Sequence, residues 1–100
     1  MICALTVRTL KPGTFEQFRE TFMGYEPLQD PPPGYVHLSM VRGIENPDEV
    51  ICFGFFDGTI DELRQTVAEL DYAGQLKAIE PFVESVGADS MYEVVEHKTA

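Results

Sequence analysis

The residues best suited to acid–base chemistry are a histidine and an arginine in two predicted strands. His37 lies between Tyr35 and Ser39 in residues 34–42, where apolar and polar side chains alternate, so these three side chains are predicted to share one face of a strand. Because imidazole titrates near neutral pH, His37 could remove a proton from a phenol or an enol. Arg8, near the end of the N-terminal strand, could hold the resulting anionic oxygen. The sequence therefore offers His37 as a catalytic base and Arg8 as an anion stabiliser.

Each of these residues also has a structural interpretation that the sequence leaves open. His37 could form a hydrogen bond at a dimer interface, and Arg8 could pair with one of the 17 Asp and Glu residues. Tyr72, which follows a predicted helix, could donate a hydrogen bond at a pocket mouth or pack in the core. The candidate substrate-binding residues are Tyr35, Ser39, Phe55 and Tyr72.

Metal and disulfide chemistry have little support in the sequence. His37 lacks the neighbouring histidine or carboxylate ligands of a typical metal site. Cys3 and Cys52 show no CxxC spacing and fall in predicted strands rather than loops. We expect no metal site and two buried, reduced thiols. A disulfide between Cys3 and Cys52 is geometrically conceivable if the two strands are neighbours.

Composition and charge narrow the class of protein and its partners. The 100 residues, 44% of them hydrophobic, suit a single domain spanning residues 1–100. The formal net charge of -10 disfavours nucleic acid and anionic membrane surfaces as partners, because phosphate groups would be repelled. Residues 1–8 are too short for a signal peptide, and no apolar run reaches the ~20 residues of a membrane span. The expectation is a soluble, cytoplasmic protein.

Hydrophobic periodicity and turn residues predict an alternating order of strands and helices. Apolar stripes indicate helices over residues 15–23 and 60–70, and alternating or apolar runs indicate strands over residues 2–10, 34–42, 50–56 and 90–96. Two capping boxes are predicted at the helix starts, Thr14 with Gln17 and Thr59 with Glu62.

Prolines and glycines predict the less regular segments. Residues 24–34 contain Pro27 and three consecutive prolines, which favour a stiff crossover loop over a Pro-rich recognition ligand. A further helical stretch over residues 73–85 contains Pro81, which predicts a kink or a split. Gly87 is the predicted C-terminal end of that helix.

The order strand, helix, strand, strand, helix, strand is that of a ferredoxin-like α+β fold, an antiparallel sheet with both helices on one face. The third strand, residues 50–56, is nevertheless apolar on both of its faces. An uncovered apolar sheet face predicts a partner. A second copy of the chain, packed sheet to sheet, is the economical solution, and a different partner protein is the alternative.

This pattern resembles the dimeric α+β barrel superfamily, in particular the antibiotic-biosynthesis-monooxygenase-like (ABM) domains. The similar features extend over nearly the whole chain: Lys11-Pro12-Gly13 after the first strand, Pro33-Gly34-Tyr35 before the second, Phe55-Phe56-Asp57 ending the third, and Met91-Tyr92-Glu93-Val94 near the end. The resemblance implies a homodimer with a pocket between each sheet and its helices.

The resemblance also implies a function, with clear departures from the usual residue set. Members that need no cofactor deprotonate a polycyclic phenol, whose anion reduces oxygen directly, using pocket Asn, Trp, Tyr or Arg residues. This chain has no tryptophan, and its one asparagine, Asn46, lies in a predicted turn. Haem-degrading relatives need an Asn on the first strand, a Trp on the third strand and a His on the helix that follows. At these places this chain offers Thr6, then Phe55 or Phe56, and no histidine. We therefore expect a cofactor-independent monooxygenase-like protein for a small aromatic or enolisable metabolite, or alternatively a non-catalytic dimeric module that binds a small ligand or serves a structural role.

Overall fold

The structure is a computed structural model that describes residues 1–24 and 30–99. Its strands are β1 (Ile2–Leu10), β2 (Tyr35–Arg42), β3 (Glu49–Phe56) and β4 (Val83–Glu93), and its α-helices are α1 (Phe15–Met23), α2 (Ile60–Glu69) and α3 (Tyr72–Ile79). A 3₁₀ helix, Glu80–Phe82, joins α3 to β4. No helix in these residues is long and apolar enough to cross a membrane.

The four strands form one antiparallel sheet in the order β2-β3-β1-β4. Its buried core joins Leu10 and Val50 of the sheet to Phe18 of α1 and Ile79 of α3. We call the side of the sheet that these helices cover the helix face. Because side chains alternate along a strand, the neighbours of the core residues point the other way, onto what we call the open face. The predicted ferredoxin-like α+β fold is confirmed.

The N-terminal ends of α1 and α2 differ, although the sequence predicts a capping box at both. At α2, the Thr59 hydroxyl accepts from the Glu62 N–H (3.2 Å) and the Glu62 carboxylate accepts from the Thr59 N–H (3.0 Å), as predicted. At α1, the predicted box is wrong. The Thr14 hydroxyl instead donates to the carbonyl groups of Lys11 and Phe82, at 2.7 and 3.2 Å, and so ties the start of α1 to the 3₁₀ helix.

The C-terminal third contains the main error of the sequence prediction. The helix ends at Ile79 and Pro81 lies in the 3₁₀ helix, so the helical stretch is split there. β4 then begins at Val83, well before the predicted start at residue 90. Gly87 does not end a helix but lies at a shift of register in β4, between the pairs Val7–Ala88 and Arg8–Val86. Pairing with β1 has outweighed the local helical pattern of these residues.

A second register shift changes the face on which one candidate residue lies. Tyr35 pairs with Phe56 and His37 with Phe55, so Val36 is an extra residue between them. Residues directly opposite each other share a face, which puts Tyr35 on the helix face with Phe56 and His37 on the open face with Phe55. The prediction that Tyr35 and His37 share a face is therefore wrong. The predicted loop over residues 24–34 falls partly outside the described residues, and Pro27 lies outside them.

Candidate functional site

A pocket of about 500 Å³ lies between the helix face of the sheet and the helices. This volume is in the range of sites that enclose small organic molecules. Most of its wall is apolar and is contributed by all three α-helices and by the sheet, including Phe22, Leu38, Met40, Ile60, Val67 and Leu70. The polar side chains of the pocket belong to the strands β1, β2 and β4 and to the helices α2 and α3.

Arg8 is the most deeply buried charged group of this pocket. Its side chain is on the helix face of β1, and the residue is only 2% exposed. Its guanidinium donates to the Thr6 hydroxyl (Nη1–Oγ1, 2.8 Å) and to the Tyr72 hydroxyl (Nη2–Oη, 3.3 Å). The Phe22 ring lies beside it, with its centroid 5.8 Å from the guanidinium carbon. Within residues 1–24 and 30–99, no carboxylate forms an ion pair with Arg8.

Tyr72 connects Arg8 to a carboxylate one step further away. It is the first residue of α3, which begins after Asp71, a residue in left-handed backbone conformation (φ 51°) whose side chain accepts from the Gly74 N–H. The Tyr72 hydroxyl donates to Asp89 Oδ2 at 3.1 Å. Burial, reinforced by Asp89 and opposed by Arg8, raises the pKa of Tyr72 to about 12. At neutral pH Tyr72 is therefore a hydrogen-bond donor and not a base.

Three polar residues of the pocket were not predicted from the sequence. Gln75 is 6% exposed, and its amide nitrogen Nε2 has no hydrogen-bond partner among the described residues. Arg64 of α2 and Asp89 of β4 complete the charged lining. Helical spacing could have found Gln75 and Arg64, which follow Tyr72 by three residues and Ile60 by four. Asp89 was missed because β4 was predicted to start after it.

His37 lies outside this pocket, on the open face of the sheet. Its Nε2 shares a hydrogen bond of 2.7 Å with the Ser39 hydroxyl, and its ring contacts Phe53 and Phe55 at centroid distances of 5.7 and 5.6 Å. Phe55 also packs edge-on against His97 of the C-terminal segment, at 5.1 Å. The open face therefore carries both histidines of the chain in one aromatic cluster, His37, Phe53, Phe55 and His97.

The predicted site residues thus divide between the two faces of the sheet. Arg8, Tyr72 and Tyr35 line the pocket. His37 and Phe55 do not, and the Ser39 hydroxyl is bonded to His37 although the residue borders the pocket. The catalytic and substrate-binding roles of these residues remain predictions, but Arg8 and His37 of one chain do not face the same space.

The two cysteines are also separated by the sheet. Cys52 lies in the core on the helix face, whereas Cys3, opposite Phe55, lies on the open face; both thiols are free. Burial raises the pKa of Cys52 to about 11, although Arg8 and the Thr6 hydroxyl oppose the shift. The Cys52 thiol is therefore protonated at neutral pH and acts as an apolar part of the pocket wall.

Comparison with known proteins places the chain by its fold. No protein-family model and no curated protein sequence matches it. Among solved structures, it resembles a proposed antibiotic biosynthesis monooxygenase from Deinococcus radiodurans, with a TM-score of 0.80, 11% identity, and coverage of 100% of this chain and 98% of that one. It also resembles a proposed antibiotic biosynthesis monooxygenase from Caulobacter crescentus CB15, with a TM-score of 0.78, 15% identity, and coverage of 95% of this chain and 90% of that one.

A third solved structure adds a named oxygenase with the same fold. SnoaB, a cofactor-independent oxygenase from Streptomyces nogalater, gives a TM-score of 0.76 at 13% identity, over 96% of this chain and 94% of that one. The chain therefore has the ABM-like fold that the sequence resemblance implied. At these identities the likeness establishes the fold alone, and any activity has to be argued from the pocket.

Proposed function

We propose that this protein is a cofactor-independent oxygenase that binds the anion of a small aromatic or enolisable metabolite in the pocket beside Arg8. The fold shared with SnoaB, a cofactor-independent oxygenase, is consistent with that class of reaction. The pocket supplies the physical argument, because its volume, apolar wall and buried cation suit a flat organic anion.

The buried guanidinium of Arg8 is the observation that carries this proposal. Removing a cation from water is costly unless an anion or several hydrogen bonds compensate for the lost hydration. In the described residues the direct partners of Arg8 are the neutral hydroxyls of Thr6 and Tyr72, and Asp89 is reached only through Tyr72. A ligand oxygen with negative charge would supply the missing partner.

The charges around the pocket point to the same kind of ligand. Arg8, Arg64 and Asp89 line it, which gives the lining a formal charge of +1 in a chain whose net charge is -10. Two of the seven Lys and Arg residues of the chain therefore lie at this one site. A locally positive pocket in an acidic protein selects an anion and repels a cation.

The proposed reaction follows from stabilising the substrate anion. A substrate with an acidic CH₂ group beside a carbonyl loses a proton, with Asp89 as the proposed acceptor, and Arg8 stabilises the enolate oxygen. The enolate gives an electron to O₂, and recombination forms a carbon–oxygen bond. The resulting hydroperoxide loses water, so one oxygen atom becomes a new carbonyl and the other leaves as water. All electrons come from the substrate.

We further propose that the protein works as a homodimer joined through the open face. Val41 and Tyr92 lie on that face and are 43% and 46% exposed, next to the aromatic cluster that contains His37. Covering this surface with a second copy would remove apolar area from water. It would also give His37 the interface role that the sequence left open as an alternative to catalysis.

A binding protein without catalytic activity is the second candidate function. It is favoured by one observation, that no histidine of the described chain lines the pocket, since His37 and His97 contact Phe55 on the open face. Both functions require the same anion at Arg8. They differ only in whether O₂ is consumed.

Oxygen uptake with a panel of anthrones and quinols separates these functions. We expect uptake by the wild-type protein, loss of uptake with Arg8→Met, and persistence of uptake with His37→Ala, because His37 lies outside the pocket. Ligand binding without uptake for any member of the panel would leave the binding function and reject the oxygenase. Uptake that depends on His37 and not on Arg8 would contradict the proposed site.

A further inference from the structure

From two buried hydrogen-bond donors that line the pocket near Tyr72, Arg8 and Gln75, we infer that the ligand anion carries two neighbouring oxygens, as in an enolised 1,3-dicarbonyl compound. This inference rests on the proposed function, since it names the chemical class of ligand for the same pocket. It concerns recognition of the bound anion and involves no step of the oxidation.

Gln75 supplies the observation that Arg8 alone does not. The residue is 6% exposed, and its Nε2 is buried without a hydrogen-bond partner in the described chain. A buried amide donor without an acceptor costs free energy comparable to a lost hydrogen bond, so such groups are uncommon in native proteins. An acceptor atom of a ligand bound in the pocket would remove this cost.

The position of Gln75 on α3 brings it close to the partner of Arg8. Tyr72 and Gln75 are three residues apart, so their side chains share one side of α3, and both line the pocket. Tyr72 contacts Arg8 directly. The same end of the pocket therefore offers one charged donor, Arg8, and one neutral donor, Gln75.

Two donors of unequal charge match an anion whose single charge is shared by two oxygens. A simple phenolate has one oxygen, so it has no second oxygen to offer Gln75 when the first lies against Arg8. An enolised 1,3-dicarbonyl is flat and places one oxygen on each side of its acidic carbon. One oxygen can accept from Arg8 and the other from Gln75, while the hydrocarbon part lies against apolar residues such as Phe22 and Met40.

The test compares two probes in titrations without oxygen, at a pH at which both are ionised in solution. 1,3-Indandione gives the two-oxygen anion, and 4-cyanophenol gives a phenolate with one oxygen. We expect Gln75→Leu to weaken binding of 1,3-indandione about tenfold and to change 4-cyanophenol binding by less than about twofold, as expected for one lost hydrogen bond. Gln75→Glu should weaken 1,3-indandione further, because it puts a carboxylate beside the anion.

Two controls keep the outcome decisive. Thermal unfolding should show that Gln75→Leu is folded, since it replaces an amide whose nitrogen is unpaired by an apolar group of similar size. If Gln75→Leu does not fold, Gln75→Met takes its place. Equal loss of both probes, or no loss of either, would overturn the inference. Because oxygen is absent, the result does not depend on turnover: selective loss of 1,3-indandione binding together with no oxygen uptake would support the inference and reject only the oxygenase.

Discussion

The Arg8 guanidinium of β1 donates a hydrogen bond to the Tyr72 hydroxyl of α3, with Nη2 and Oη 3.3 Å apart. This contact joins the centre of the sheet to the helix that follows Asp71. Because the Tyr72 hydroxyl donates its own hydrogen bond to Asp89, a neutral group lies between the buried cation and this carboxylate. The cation is left available to a ligand.

Replacing Arg8 by methionine should separate binding from stability. We expect the free energy of unfolding without ligand to be unchanged or to rise by about 1 kcal/mol, because a buried charge without a direct counter-ion is removed. Binding of 4-cyanophenolate should fall at least about tenfold. Urea unfolding and absorbance titration measure the two effects. Arg19→Met is the control, since Arg19 is on the surface of α1 and pairs with Glu16 at 3.1 Å; it should leave binding unchanged.

Stability should fall with increasing pH between about pH 9 and pH 11, partly because of Cys52. Burial raises the pKa of this thiol from 9.0 to about 11 in the folded protein. The folded state therefore holds a proton that the unfolded state has lost, so stability is fully present below pH 9 and is lost as pH rises through 11. This rise in pKa corresponds to about 3 kcal/mol of stability.

Cys52→Ala should flatten that part of the stability–pH curve in urea unfolding experiments. Cys3→Ala is the matched control. It also removes a thiol whose pKa is raised by burial, but Cys3 is only half-buried. Tyr72, whose pKa is raised from 10.0 to about 12, gives a further decline between pH 10 and pH 12 that both variants should keep. An identical curve for Cys52→Ala and wild type would show that Cys52 titrates normally.

Thr59→Ala should destabilise the protein by about 1 kcal/mol, because it removes the hydroxyl that accepts from the Glu62 N–H at the start of α2. Gln65→Ala, at an exposed position of the same helix, should change stability by less than about 0.5 kcal/mol. Chemical unfolding of both variants measures the difference. Since Ile60, Arg64 and Val67 of α2 line the pocket, Thr59→Ala should also weaken ligand binding.

The proposed homodimer can be tested with one charge on the open face. Val41→Glu should convert a species with the mass of two chains into one with the mass of a single chain, measured by light scattering at micromolar concentration. Ile44→Glu is the control, because Ile44 is 99% exposed in the turn after β2 and should not alter the mass. A wild-type protein that is monomeric under these conditions would contradict the dimer.

The sequence was sufficient to predict the fold, because the patterns that indicate its strands and helices are local. The strand at residues 2–10 and the helix at residues 15–23 were predicted with the bounds observed, and the Thr59 capping box was confirmed. Residues 83–89 were predicted wrongly because their strand conformation depends on pairing with β1, which is distant in sequence. No local pattern reports that contact.

The candidate site was harder to predict, because it depends on which face each strand residue occupies. A single extra residue, Val36, places Tyr35 in the pocket and leaves His37 on the other side of the sheet. Arg8 and Tyr72 were both candidates, but their contact joins residues 64 positions apart. Helical spacing from Tyr72 could have named Gln75, but its unpaired buried nitrogen is a property of packing that the sequence does not show.

The pKa of a bound phenol tests the central claim, that Arg8 stabilises a ligand anion in the pocket. The absorbance of 4-cyanophenol reports its ionisation, so its titration can be followed with the probe bound to a saturating concentration of protein. We predict a bound pKa at least about one unit below that of the free probe in the wild-type protein, and no such decrease in Arg8→Met. A bound pKa equal to or above the free value, or no binding of the probe, would contradict the account.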